Sequence, residues 1–229
     1  TTPALSQFEL TVPGFSFPPG AAQLGTSNLA ATIDWRTKNG VVRNGSLWVS
    51  HNTGASSGPN TARTRWYEVE LNGWPTSGSN PTLRQSGNLD FGAGEDNWFG
   101  DINVADNGDA VIAYNRSSSS QYIGVEYVVR RAGATLGTFG PPTELVRSTS
   151  SETGGRWGDY AGVEQDPIDP NTFWSHHEFR TSGWRTWVGE FSTNMEIVLV
   201  SGSVTAGAST ILSVSDAQAG ETVHFLASL

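Results

Sequence analysis

The chain contains no cysteine. Disulfides, thiolate metal sites and a cysteine nucleophile are excluded, although this absence does not fix a compartment. Lysine occurs once, at Lys38, and charged residues make up only 15% of the 229 residues. That rules out a coiled coil, a Lys/Glu-rich bundle or a charged disordered tail. With 13 Lys and Arg against 22 Asp and Glu, the net charge is −9. The clustered cations that grip nucleic-acid phosphates are lacking, so no nucleic-acid partner is expected. No apolar run approaches the ~18–20 residues that span a bilayer, so no membrane span is expected. There is no G-x-S-x-G elbow, no P-loop and no H-E-x-x-H. Thr1-Thr2-Pro3 has no initiator Met, basic region or apolar leader. This reads as a mature or excised chain whose targeting signal has been removed. Together with the scarcity of lysine, it gives the expectation of a secreted, extracellular or cell-surface protein.

What the chain does have is 27 Gly, nine Trp, and a share of Ser and Thr of roughly a fifth. No segment of ten or more residues keeps a helical apolar period. Short alternating runs lie between Gly, Asn, Asp and Pro instead, which is the pattern of strands and turns. The clearest are Ser46–Ser50, Arg65–Leu71, Asp109–Tyr114, Ile123–Val129, Thr172–His176 and Trp184–Phe191. The fold class read from them is all-β.

The runs recur. Asn44-Gly45 precedes Leu47-Trp48-Val49, Asn107-Gly108 precedes Val111-Ile112-Ala113, and Pro170-Asn171 precedes Phe173-Trp174. The asparagines are 63 and 64 residues apart. Each copy is followed by a second amphipathic strand, beginning near Trp66, Ile123 and Trp184. Trp98-Phe99-Gly100-Asp101 and Arg156-Trp157-Gly158-Asp159 precede the second and third copies. A repeated antiparallel unit of this length is expected of a β-propeller-type array of four-stranded blades. The alternative is a β-sandwich whose strands draw on the same few residue types. The array reading puts a partial propeller over 1–192, about three blades plus flanking strands, with units near 30–90, 91–150 and 151–192. A β-rich tail over 193–229 reads as the start of a further small module. Three units do not close a ring, so missing segments or other chains are expected to complete it.

The stretch from Arg156-Trp157-Gly158-Asp159-Tyr160 through Asp166-Pro167, Thr172-Phe173-Trp174 and Trp184-Arg185-Thr186 resembles exported bacterial β-propellers of the sialidase-like, neuraminidase-repeat group. Asp106-Asn107-Gly108-Asp109 resembles a degraded form of their Asp-box turn, keeping the Asp and Gly without the leading Ser and closing aromatic. The likeness covers roughly residues 30–192 and is most specific over 156–187. It implies a propeller fold and a glycan-related role, with a sialidase-type hydrolase as one version of that role.

The densest ionisable cluster is His176-His177-Glu178. In a strand, His176 and Glu178 share one face and His177 takes the other. A His and a carboxylate on one face suit a metal pair, a base with its orienting acid, or a hydrogen-bonded strand end. His51 occupies the equivalent place in the first copy. Asp106 with Asp109, and Asp166 with Asp169, place carboxylates in tight turns. Such turns give some of the oxygens that calcium requires, and equally cap their own backbone. A sialidase would need three arginines, a Tyr–Glu pair and an Asp acid. Arg36, Arg156, Arg185, Tyr160, Glu164 and Asp34 are the available types, in no catalytic motif. Trp48, Trp174 and Trp187 are expected in the core between sheets, and Trp74, Trp98 and Trp157 beside turns where a ring could stack on a sugar.

The reading is an extracellular binding or scaffold module. Its ligand, a glycan or a protein, would meet a rim bearing Arg156, Trp157, Asp159, Tyr160, His176 and Glu178. The alternatives are a sialidase-type hydrolase and an architectural subunit whose open strand edges pair with neighbouring chains.

Overall fold

Asn44 and Gly45 both take positive φ, 50° and 79°. This is the left-handed pair of a two-residue hairpin turn, whose twist matches that of the strands it joins. It links β1 (Thr37–Arg43) to β2 (Ser46–Gly54), with Arg43 paired to Ser46. The remaining strands are β3 (Ala62–Glu70), β4 (Thr82–Asn88), β5 (Asp96–Val104), β6 (Ala110–Ser118), β7 (Gln121–Arg130), β8 (Thr143–Arg147), β9 (Gly162–Gln165), β10 (Thr172–Arg180) and β11 (Trp184–Ser192). The computed structural model describes residues 5–55, 60–158 and 160–193, and these contain no helix. The expected tail over 193–229 lies, apart from Thr193, outside the described residues. Among the described residues no helix is long and apolar enough to cross a membrane.

The strands form three antiparallel meanders in chain order: β1-β2-β3-β4, β5-β6-β7-β8 and β9-β10-β11. The three turns singled out by their spacing are the first hairpin of each meander, and β2, β6 and β10 are each nine residues long. The all-β expectation holds and the repeat is visible as three like sheets. Two features differ. The third sheet has three strands among the described residues, where four were expected. The N-terminal flank, residues 5–36, holds only an isolated bridge between Ala21 and Ala30 in place of flanking strands. None of the sheets is closed.

The second sheet is covered on both faces. On one side Ile102, Val104, Ala110, Ile112, Tyr114 and Val128 pack against Trp48 and Trp66 of the first sheet. On the other, Val111 and Ala113, with Tyr127 and Val129, pack against Val163, Phe173 and Phe191 of the third. A two-sheet sandwich leaves one face of each sheet outside, so the sandwich alternative does not describe this stack.

This packing corrects the equivalence read from spacing. Trp48, Ile112 and Trp174 were placed at one position of the repeat. Trp48 and Ile112 do share a core, but they enter it from opposite sheets. Trp48 faces forward onto the second sheet, whereas Ile112 faces back onto the first. The true counterpart of Trp48 is Val111, which faces forward onto the third sheet. A one-residue slip reverses every side chain of a strand. The turns differ in length: Arg43 pairs directly with Ser46, while five residues separate the paired Val104 and Ala110. Trp174 has the same direction as Trp48, but no described sheet covers it and it is 42% exposed.

Sheet is tied to sheet by the polar side chains of β5. Asp96 accepts the N–H groups of Ala22 (2.8 Å) and Ala62 (2.7 Å). Asn97 accepts from Thr64 N–H at 2.7 Å and donates to Leu89 O at 3.1 Å. Asp101 accepts from Val163 N–H at 2.8 Å, and Asn103 donates to Val163 O at 3.0 Å.

Burial pushes the Asp101 carboxyl up from 3.8 to about 6, against the N–H bonds it accepts. The folded chain therefore binds this proton more tightly than the unfolded chain does. The charge penalty is absent below about pH 4, grows as the pH rises to 6, and reaches about 3 kcal/mol. Asp101→Asn keeps an oxygen for Val163 N–H and cannot ionise. In chemical denaturation from pH 4 to 7 the variant is expected to lose this falling component of stability; a pH profile identical to that of the parent would refute the assignment.

Candidate functional site

The segment after β8 crosses the front of the third sheet and is pinned at Glu152. The backbone of Glu152 exchanges hydrogen bonds with the Gln23 side chain at 2.7 and 2.8 Å, and its carboxylate meets Arg180 at 2.7 Å. Five residues on, Trp157 is driven into an apolar cluster with Ala21, Ala30, Trp98 and Phe99. Gly158 N–H then donates to Glu178 Oε2 at 2.5 Å. A side chain at position 158 would crowd Glu178, with a Cβ placed 3.2 Å from the Glu178 Cβ. The segment therefore arches over β10, leaving Arg156 and Tyr160 exposed.

From the sheet, β10 and β11 supply the floor. His176 and Glu178 lie on the forward face and His177 on the buried one, as the strand alternation predicted. The antiparallel register sets Thr186 opposite Glu178 and Trp184 opposite Arg180. The ring of His176 lies over Gly162, in space that a Cβ there would occupy.

The result is a cleft of about 460 Å³ between the 152–160 segment and the forward face of β10 and β11. Arg156, Trp157, Tyr160, His176 and Glu178 all border it. The sixth expected rim residue, Asp159, lies outside the described residues. Trp157 is corrected in role. It is only 2% exposed, so its ring is part of the fold and offers no stacking face. Trp98 is likewise fully buried. The exposed aromatics of the cleft are Tyr160 at 85% and Trp184 at 61%. Trp184 was read only as part of a hairpin; the signal that could have found it is the register of that hairpin, which puts it two residues from Thr186 on one face.

Burial pushes the Glu178 carboxyl above its ordinary value, opposed by bonds from the Trp184 side chain and Gly158 N–H. A buried carboxylate at the cleft floor, a guanidinium and two exposed rings around one cleft are groups that hydrogen-bond and stack on a polar ring ligand.

The other candidates lie elsewhere. His51 is on the back face of the first sheet, stacked on Tyr67 and bonded to its hydroxyl at 3.0 Å, so it does not join His176. Asp166 accepts the N–H groups of Ile168 and Asp169 and the Trp174 indole N–H at 2.7 Å. Asp169 accepts from Asn171 N–H and the Thr172 hydroxyl. Asp106 pairs with Arg43 at 2.8 Å and Asp109 with Arg131 at 2.9 Å. The four calcium candidates thus serve turn closure and ion pairs. Among the described residues no three His, Asp or Glu side chains group as a metal site requires. Of the three arginines considered for a sialidase grip, only Arg156 borders the cleft, and Arg36 is held by Asp34 at 2.6 Å. The chain matches no protein-family model, no curated protein and no solved structure.

His177, behind the cleft, is fully buried between the second and third sheets, with Asn115 Oδ1 3.5 Å from its Nδ1. Burial, helped by the neighbouring His176 charge, lowers it from 6.5 to about 3. Here the unfolded chain takes the proton first. Stability is complete above about pH 6.5 and falls by about 1.4 kcal/mol per pH unit below it. The sign is opposite to that of Asp101, so the two partly cancel between pH 4 and 6. In an Asp101→Asn background the acid slope of His177 is relieved of the Asp101 component, with Asp96 and Glu178 still opposing it. Adding His177→Gln is expected to remove the fall in stability toward acid; a fall that survives the second substitution would place its origin elsewhere.

Proposed function

We propose that the three meanders are consecutive blades of a β-propeller-type array, and that the chain is an extracellular module binding a glycan in the cleft of the third sheet. One observation carries the reading: Arg156, Tyr160, His176 and Glu178, drawn from two separated parts of the chain, border one cleft with Trp184. Exposed rings stack on the apolar faces of sugars, while a carboxylate and a guanidinium take their hydroxyls or acidic groups. The resemblance of residues 156–187 to sialidase-like propellers supports the same substrate class. Binding is preferred to hydrolysis because the cleft brings together one of the three arginines that a sialidase-type site would use. Glu164, the carboxylate near Tyr160 in sequence, is on β9 and does not line the cleft.

A glycan array followed by calorimetry on its strongest hit tests this. Tyr160→Ala and Trp184→Ala are each expected to weaken binding about tenfold, equivalent to about 1.4 kcal/mol. Because both rings are exposed, the melting temperature should hardly move. Failure of the array to yield a ligand, or affinity unaltered by both substitutions, would remove the proposal.

A second reading, an architectural subunit, is favoured by the part of the third sheet's front that no described segment covers, where Trp174, Trp184 and Val188 stand 42%, 61% and 64% exposed. Faces of that kind mark interaction sites. On this reading sedimentation velocity over a hundredfold concentration range shows association that Val188→Lys abolishes; a monomer throughout would exclude it.

A further inference from the structure

At the opposite edge of the stack, where the β1–β2 and β5–β6 hairpin turns come together, a second cavity of about 200 Å³ lies between the first two sheets. Its walls are Arg43, Trp48, Glu68, Arg84, Asn107 and Arg130. Three guanidinium groups around one small space raise the question of what balances them.

Two are accounted for within the protein. Arg43 meets Asp106 at 2.8 Å and donates to Gln165 Oε1 at 2.6 Å. Arg84 meets Glu68 at 2.9 Å and lies 3.6 Å from Glu70. Glu68, the only carboxylate in the wall, also accepts from Ser46 Oγ at 3.1 Å and from the Gln85 amide. Its oxygens are committed.

Arg130 is different. It is 3% exposed, and its Nη1 and Nη2 donate to the backbone carbonyls of Arg131 (2.9 Å) and Ala134 (3.0 Å). Among the described residues no carboxylate lies within ion-pair distance of it. Its Nε–H is sealed from solvent without an acceptor, and so is the Nε–H of Arg43 across the same cavity. Buried charges are otherwise paired, and buried donors bonded. Burial also draws the Arg130 guanidinium below its ordinary range, while Glu68 and Asp109, neither of them in contact with it, pull the other way.

We infer that this cavity is an anion-binding site, and that its ligand is a small carboxylate, or the carboxylate end of a larger molecule, held by Arg130 and Arg43. The open donors define the class. Arg43 and Arg84 have Asp106, Glu68 and Glu70 in ion-pair contact, whereas Arg130 has no carboxylate in contact among the described residues. Arg43 and Arg130 each keep an unbonded Nε–H that an anion with two acceptor oxygens satisfies. Guanidinium groups match the planar oxygens of a carboxylate in geometry as well as in charge. The site is independent of the cleft on the third sheet, so either can fail without the other.

The test is thermal unfolding of the whole chain in acetate, glucuronate, inorganic phosphate or chloride at equal ionic strength, followed by calorimetry with glucuronate. Acetate and glucuronate are expected to raise the melting temperature above the chloride value, with saturation. Arg43→Gln, at a partly exposed wall position, should keep the fold and weaken glucuronate binding about tenfold; Arg130→Gln should abolish it. Phosphate that stabilises while both carboxylates do not would overturn the ligand class. Equal melting in all four salts, or a carboxylate shift that persists in both variants, would overturn the site. If Arg130→Gln does not fold, Arg43→Gln alone decides.

Discussion

The stack depends on β5. Apolar faces alone do not fix how one sheet lies on the next, because hydrophobic contact is non-directional. Asp96, Asn97, Asp101 and Asn103 supply the direction by bonding backbone groups at Ala22, Ala62, Thr64, Leu89 and Val163. Those groups belong to the N-terminal flank, the first sheet, the connection out of β4, and the third sheet. One strand is thus joined to everything around it through side chains, in a place where its own backbone pairs only with β6. Each bond contributes about 1 kcal/mol net. Breaking one strands a buried backbone group, a larger loss than the bond itself, and this asymmetry is what holds the sheets in register.

Placing so many polar groups inside has consequences for charge. Glu126 is buried between Arg116 and Arg147, at 3.2 and 2.7 Å, and the Tyr114 hydroxyl lies 3.3 Å from it. Glu68 has Arg84, Ser46 and Gln85. These carboxylates are fully partnered, whereas Asp101, His177 and Arg130 are buried with no opposite charge in ion-pair contact among the described residues. The first two meet the difficulty by changing protonation, in opposite directions. A guanidinium has no such route, because it stays protonated throughout the range in which proteins fold. For Arg130, whose Nη atoms bond two backbone carbonyls while its Nε–H has no acceptor, the solution we infer is a bound anion.

Most of the strands could be read from the sequence, since alternation and Asn/Gly turns are local signals. The Asn44-Gly45 hairpin is the clearest case: two residues that accept positive φ set the register of β1 on β2. The convergence of Arg156, Tyr160, His176 and Glu178 was also legible, through strand alternation and the repeat. The face of Ile112 was not. It depends on how many residues the β5–β6 turn consumes, and one residue reverses it. Trp98 and Trp157 looked like ring platforms beside acidic turns, but the Ala21–Ala30 segment, some sixty residues or more away in sequence, packs over them. Arg130 gave no local signal at all. Its neighbours in the cavity come from all four strands of the first sheet, from β5 and from the turns between strands, and only the fold brings them together.

The correction to the repeat also explains why the cleft is where it is. With Val111 matched to Trp48 and Trp174, four residues onward stand Asn52, Asn115 and Glu178. The first two serve as links to the next sheet: Asn52 accepts Phe99 N–H at 2.8 Å, and Asn115 donates to Glu178 O at 3.4 Å. The third sheet has no described neighbour to link to. There the position carries a carboxylate, which bonds Gly158 of its own crossing segment and borders open space. Two residues earlier Ser50, which donates to Gly100 O at 2.8 Å, gives way to the exposed His176 in the same manner. The positions that join sheet to sheet within the stack are, at its open end, the positions that line the cleft. A site can form there without any change of backbone, because side chains at these positions have no described sheet to join and are left to face the cleft.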